Sequence, residues 1–201
     1  MTTNPPPLVR PEPAYAGIGS RSTPAPVAAF MEQMAWHLTR CGYKLRCGAS
    51  VGAEAAFSRG CTKAGGSHEI WLPHKGFNGY DESGLVAGDR HHAMAAKVHP
   101  LWKYLSPELK QMVASRVALV LGDQMRRPVE FVICWTQDGF DGSAGAGVAT
   151  GHSHFSIMLA ASHSIPVFNL SHTTSYQRLL AYLRRRHLDQ HIHRVATSST
   201  I

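Results

Sequence analysis

The sequence has no apolar run approaching the roughly 18–20 residues that a membrane-crossing helix needs, so a span of that kind is not expected. Its four cysteines, Cys41, Cys47, Cys61 and Cys134, include no Cys-x-x-Cys pair, and three of them fall in or beside expected strands and helices. Reduced thiols in a core are the expected state. Acidic residues are few, 13 against 20 Lys and Arg, which gives a formal net charge of +7 and a pI near 9.5. That balance favours an anionic partner, but charge alone does not separate a phosphate ligand from nucleic acid. Part of the excess sits near the end of the chain, at Arg184, Arg185, Arg186 and Arg194. There is no internal repeat.

What is there reads as one ordinary globular domain. The chain has 201 residues, 44% hydrophobic and 16% charged, long enough to bury a sheet under helices on both faces. Residues 1–13 carry five prolines and nothing comparable to the apolar centre of a signal peptide, so they are expected to be a disordered lead-in. A single domain over residues 14–187 and a basic, polar tail over 188–201 complete the expected organisation. A cytoplasmic location follows by default.

Five short apolar segments are expected strands: residues 15–18, 44–47, 69–72, 129–135 and 165–169. Between them lie helical patterns. Over residues 24–40, Val27, Phe30, Met31, Met34 and Leu38 recur at three- and four-residue intervals and make one apolar stripe. Thr23 is placed to cap that helix, Pro24 to occupy its first position and Gly42 to supply the left-handed turn that ends it. Further helices are expected over residues 53–61, 86–97 and 107–121, from about Gly151, and over 174–187, where Tyr176, Leu179, Leu180 and Leu183 form the buried stripe. Strands separated by helices along the whole chain predict an α/β fold with a parallel sheet and right-handed crossovers. Residues 73–88, rich in Gly, Asn, Asp and Ser, break the rhythm and are expected to be a long loop, a lid or a subunit contact.

The strongest local signal is Ala16-Gly17-Ile18-Gly19-Ser20-Arg21, which sets two glycines, a hydroxyl and a guanidinium between the first strand and the first helix. Ligands bind at such edges in α/β sheets. Gly17 and Gly19 admit close approach of a phosphate, amides at a helix start donate to it, and Arg21 supplies a charge-assisted partner. A tight structural turn is the alternative. The run lacks the third glycine of Gly-x-Gly-x-x-Gly, so no nicotinamide cofactor is implied. A second glycine loop, Gly48-Ala49-Ser50-Val51-Gly52, opens the next helix, where Glu54 either serves the helix end or holds a ribose hydroxyl or base edge. After the third strand, Lys75 lies among Trp71, His74 and Phe77, either beside a nucleobase or in a packed loop.

Thr136 and Asp138 follow the fourth expected strand and are expected to point into the same crevice. The glycine-rich run 141–147 is expected to be a mobile loop. Gly151, His152, Ser153 and His154 then open the fifth helix, whose amides offer another anion site. His152 and His154 have three open roles: phosphate contact, acid–base chemistry, or metal ligation. No Cys or carboxylate stands beside them at metal-ligand spacing, so neither a metal nor a cofactor is expected. Six other histidines, His91, His92, His99, His187, His191 and His193, are expected to be solvated or at helix ends.

Taken in order, five segments resemble the SLOG superfamily: residues 15–24, 45–57, 69–78, 131–139 and 165–169, with His99-Pro100-x-Trp102 and Val120-Leu121-Gly122 between them. The superfamily groups DNA-processing protein A with the lonely-guy cytokinin-activating enzymes, and the chain is most similar to its phage and bacterial DNA-processing-protein-A-like branch. The resemblance implies a Rossmann-like fold of five or more strands, frequently a dimer or larger homo-oligomer, in a bacterial or phage setting. It implies glycine loops that bind nucleotides, nucleotide-derived signals or, in DNA-processing protein A, single-stranded DNA. The sequence departs from the branch at Thr150-Gly151-His152-Ser153-His154, where two imidazoles replace glycine-sized positions. Residues 155–161 also hold no acid where the lonely-guy enzymes carry a helix glutamate. Binding of a nucleotide-like ligand is therefore the first expectation. An N-glycosidic or phosphate-bond hydrolase using Glu54, Asp138, His152 or His154 is the second, and single-stranded DNA binding the third.

Overall fold

The structure, a computed structural model, describes residues 12–81, 83–143 and 151–198, with side chains as far as Arg186. Six strands, β1 (Ala14–Gly17), β2 (Lys44–Cys47), β3 (His68–Leu72), β4 (Leu85–Val86), β5 (Phe131–Cys134) and β6 (Val167–Asn169), form one sheet in the order β4-β3-β2-β1-β5-β6. Every neighbouring pair is parallel. Six helices alternate with them: α1 (Ala25–Arg40), α2 (Ala53–Lys63), α3 (Asp89–Val98), α4 (Pro107–Leu121), α5 (Ser153–Ser162) and α6 (Thr173–Ser198). The protein is α/β, with a Rossmann-like parallel sheet flanked by helices on both faces.

Side-chain alternation in the strands explains both coverings. Ala14 and Ala16 of β1, Trp71 of β3, Val132 and Cys134 of β5 and Val167 of β6 pack with α3, α4 and α5. Their neighbours Tyr15, Leu45, Cys47, Ile70, Leu72, Phe131, Ile133 and Phe168 pack with α1, α2 and α6. Strands apolar on both faces require helices on both faces. Fully burying one such side chain contributes about 1.5–3 kcal/mol. Phe57 of α2 occupies the space beside Gly17, where a Cβ would stand 2.5 Å from its ring. Cys47, Cys61 and Cys134 are buried free thiols and Cys41 is an exposed one.

The strand order fixes where a ligand can enter. From β1 the chain winds through β2 and β3 to β4, then returns to place β5 on the other side of β1. The β1–β5 junction is thus a topological switch point, with the crevice at the carboxyl ends of the strands.

Several local expectations change. Thr23 does not cap α1: its hydroxyl donates to the Ser20 carbonyl at 2.7 Å, and Pro24 is the N-cap, with Pro26 inside the first turn. Gly42 does turn left-handed, at φ 83°. The expected loop 73–88 contains a 3-10 turn, Phe77–Gly79, and the edge strand β4, so α3 starts at Asp89 rather than Val86. Two residues are too few for strand periodicity to register. His91 is buried, its Nδ1 accepting from the Gly88 amide and its Nε2 donating to the Gly122 carbonyl, each at 3.0 Å. In α6 Leu179 and Leu183 are buried, but Leu180 is 42% exposed. That helix runs to Ser198 instead of ending at His187, because no Gly or Pro interrupts it. Pro13, expected in the lead-in, is tied down by the Lys44 amide at 2.8 Å. Among the described residues no helix is long and apolar enough to cross a membrane.

Candidate functional site

A cavity of about 620 Å³ opens at the carboxyl edge of the sheet, within the usual range of small-molecule sites. Each wall comes from a loop that a strand delivers there. Gly19, Ser20, Arg21 and Ser22 follow β1, Ser50 and Glu54 follow β2, Phe77 and Asn78 follow β3, and Gly151, His152 and Ser153 begin α5. Met112 and Arg116 reach in from α4.

Its floor is an ion pair. Glu54, 1% exposed, accepts from Arg116 Nη1 at 2.5 Å through Oε1 and from the Ser50 amide at 2.9 Å through Oε2. Gly48 makes the room: a Cβ there would lie 2.6 Å from Glu54 Oε2 and 2.9 Å from Arg116 Nη1. Arg116 is itself only 5% exposed, and among the described residues its buried Nε has no hydrogen-bond partner. Its Nη2 donates to the Met112 sulfur at 3.8 Å. The guanidinium therefore enters the wall with one edge neutralised and the other poorly satisfied.

Above this floor the loops lock backbone to backbone. The Ala53 amide donates to the Ser20 carbonyl at 3.3 Å, and Gly52, at φ 80°, brings its Cα where a Cβ would meet the Ser20 and Arg21 carbonyls at 2.5 and 2.6 Å. Ser20 is held by the Trp135 carbonyl through its amide, and its hydroxyl meets that of Ser22 at 2.8 Å. Ala49 contributes its carbonyl, which accepts from the Asn78 amide group at 3.1 Å. Arg21 is exposed at the mouth, with no acceptor among the described residues. Neither α2 nor α5 has a side-chain cap; backbone carbonyls serve instead, Ser20, Ser50 and Gly52 accepting from the Ala53, Ala55 and Ala56 amides of α2, and Gly151 from the His154 amide of α5. Burial, followed by the guanidinium groups of Arg116 and Arg21, holds the His152 imidazole below the ordinary histidine range.

Other expected site residues lie elsewhere. Thr136 does not face the crevice: it is wholly buried, its hydroxyl taking a 2.7 Å bond from the Asn169 side chain of β6. The same Asn169 amide donates to the Phe140 carbonyl at 2.8 Å, while its oxygen accepts from Thr136 and Ser171 amides. Asp138 lines a second cavity of about 400 Å³ with Asp141, Ser143, His172 and Arg178. His154 stacks on Phe140 at 5.2 Å and meets the edge of Phe155. Lys75 donates to the Gly84 carbonyl at 2.7 Å, bracing its own loop rather than lining the cavity. Gly17 is buried beneath Phe57. Of the expected glycine-rich loop 141–147, residues 144–147 lie outside the described residues, as do 148–150.

Sequence reading missed Arg116, Met112, Asn78, Ser22 and Ser50 as cavity residues, while Phe77 stood among the rings expected around Lys75. Arg116 had a visible signal, a lone charge within the apolar run from Val113 to Leu121. Among the described residues no group of three His, Cys, Asp or Glu side chains is placed to hold a metal ion. Comparison with known protein families, characterised proteins and solved structures finds no match to this chain. The site is therefore read from its own geometry.

Proposed function

We propose that this protein binds a nucleotide or nucleotide-derived phosphate ligand in the 620 Å³ cavity, sensing or sequestering it. The observation that carries the reading is Arg21, a guanidinium at the switch point with no acceptor among the described residues. The Ser20 and Ser22 hydroxyls, Arg116 and residues at the starts of α2 and α5 lie in the same cavity. An anion there gains charge-assisted hydrogen bonds and favourable helix dipoles. A net charge of +7 steers anions toward the protein as a whole.

Binding is favoured over hydrolysis by how the protein uses its acid–base candidates. Glu54 is committed to Arg116 and Ser50, His154 packs between two phenyl rings, and Asp138 borders the other cavity. Only His152 remains in the crevice with an imidazole free to act. The homo-oligomer and the bacterial or phage cytoplasmic setting implied by the resemblance belong to the same proposal, and sedimentation velocity tests the assembly.

Thermal melting across a panel of nucleoside monophosphates, ADP-ribose derivatives and cyclic nucleotides tests the ligand class. A ligand at a hundred times its Kd adds about 2.7 kcal/mol, a rise of roughly 5–10 °C for a chain of this size. Arg21→Ala should remove the rise. No shift with any member of the panel would sink the proposal, and a shift only with oligonucleotides, steeply weakened by salt, would favour single-stranded DNA.

A further inference from the structure

The cavity carries its exposed guanidinium and its one phenyl ring at opposite ends, and the strand order says which end is which. The loops that line it follow β3, β2, β1 and β5, which are consecutive across the sheet. Three inter-strand gaps of about 4.8 Å separate the outer two, roughly 14 Å in all. At the β1–β5 side stand Arg21, Ser20 and His152. At the β3 side stands Phe77, half-buried, with its ring in the cavity wall and packed on the α1/α2 side of the core. Met112, one turn before Arg116 on a helix that lies against β2 and β3, adds a polarisable thioether to the same wall.

The segment that presents Phe77 is held in place from several directions. Asn78 takes a left-handed conformation at φ 53°, uncommon for a residue with a Cβ, and its NH2 group is anchored on the Ala49 carbonyl. That anchoring leaves the amide oxygen of Asn78 as the acceptor turned away from Ala49. Lys75 ties the same segment to Gly84, and His74 meets the Phe77 ring edge-on at 5.5 Å. A backbone conformation of this kind persists where surrounding structure enforces it, and such positions cluster at ligand clamps.

We infer that Phe77 is the base-stacking wall of the site, so that a nucleoside monophosphate lies along the sheet edge with its phosphate at Arg21 and its ring on Phe77. This orientation rests on the nucleotide reading of the cavity and adds to it the element that reads the ring. An aromatic ring against a base is worth a factor on the order of ten to a hundred in affinity.

Calorimetric titration with AMP and with ribose 5-phosphate separates the two levels, because both carry the phosphate and only one carries the ring. The wild-type protein should bind AMP about tenfold or more tighter than ribose 5-phosphate. Phe77→Ala should weaken AMP to the level of ribose 5-phosphate and leave ribose 5-phosphate unchanged, while Phe77→Trp restores the difference. Phe77→Leu keeps apolar bulk without the ring, should behave like Phe77→Ala, and decides the matter if the alanine variant does not fold. Equal affinity of the wild type for both probes overturns the stacking wall and leaves the phosphate site standing. Loss of both ligands together in Phe77→Leu also overturns it, by making the residue structural. Binding of neither probe to the wild type overturns the inference and the nucleotide reading alike.

Discussion

Two cavities share the carboxyl edge of one sheet, on either side of the segment that follows β5, and they differ in how the protein treats its own polar groups. Behind the smaller one the buried groups are closed on each other, and its one guanidinium, Arg178, lies over the Phe168 ring within reach of the charge of Asp141. Asn169 serves Thr136, Phe140 and Ser171, and His172 is bonded to the Gly139 carbonyl at 2.7 Å. Around the larger one two guanidinium groups are left open: among the described residues Arg21 has no acceptor and Arg116 Nε has no partner. Buried polar groups are nearly always paired, and of the seven buried side-chain atoms without a partner among the described residues, Arg116 Nε is the one that belongs to a residue lining the larger cavity, where a ligand can complete it. The balance of charge differs too, with Asp138 and Asp141 against Arg178 on the smaller cavity and Arg21 and Arg116 against Glu54 on the larger.

The contrast can be broken by mutation. Glu54→Ala should have the largest effect on stability, about 3–5 kcal/mol, because it strands a buried guanidinium without its counter-charge. Urea unfolding measures this, and the double variant Glu54→Leu, Arg116→Met should recover much of the loss. A cost below about 1 kcal/mol for the single change would mean that Arg116 is solvated and the floor is not a buried pair. Asn169→Ala comes next, at about 2–3 kcal/mol, since it unpairs buried amides of the closed side. It should leave ligand affinity in the larger cavity unchanged; a parallel loss of affinity would show that the two sides are not independent.

A pH series tests a smaller effect. Burial lowers the titration of His68 and His154, and burial together with Arg116 and Arg21 lowers that of His152. Between these lowered values and the ordinary histidine value of about 6.5, the unfolded chain binds more protons than the native protein. Stability should therefore be present above about pH 6.5 and be lost as pH falls below it. The reverse slope between pH 5 and 7 in chemical denaturation would contradict the burial of these rings.

Much of the fold was legible because it rests on local pattern. Met31, Met34 and Leu38 mark α1 by spacing, and the Lys44–Cys47 strand is one of the short segments expected between helices. β4 was not legible: two exposed residues carry no period, and its pairing with Trp71 and Leu72 depends on the turn at Phe77–Gly79. The site divides in the same way. Loops at strand ends located Ser20, Arg21, Gly151, His152 and Ser153, because topology alone brings them to one edge. The partners of Glu54 and Thr136 are 62 and 33 residues distant, and no local rule chooses between a side chain that points outward and one captured by Arg116 or Asn169.

The most direct test of the central claim, that the open cavity and not the closed one takes the ligand, is a calorimetric titration of AMP and ADP-ribose into wild type, Arg21→Ala and Asp138→Asn. Arg21→Ala should lose binding while its unfolding free energy stays within about 0.5 kcal/mol of wild type, as for an exposed side chain without partners. Asp138→Asn should bind as wild type does. Unchanged binding in Arg21→Ala, or its loss in Asp138→Asn alone, would contradict the account.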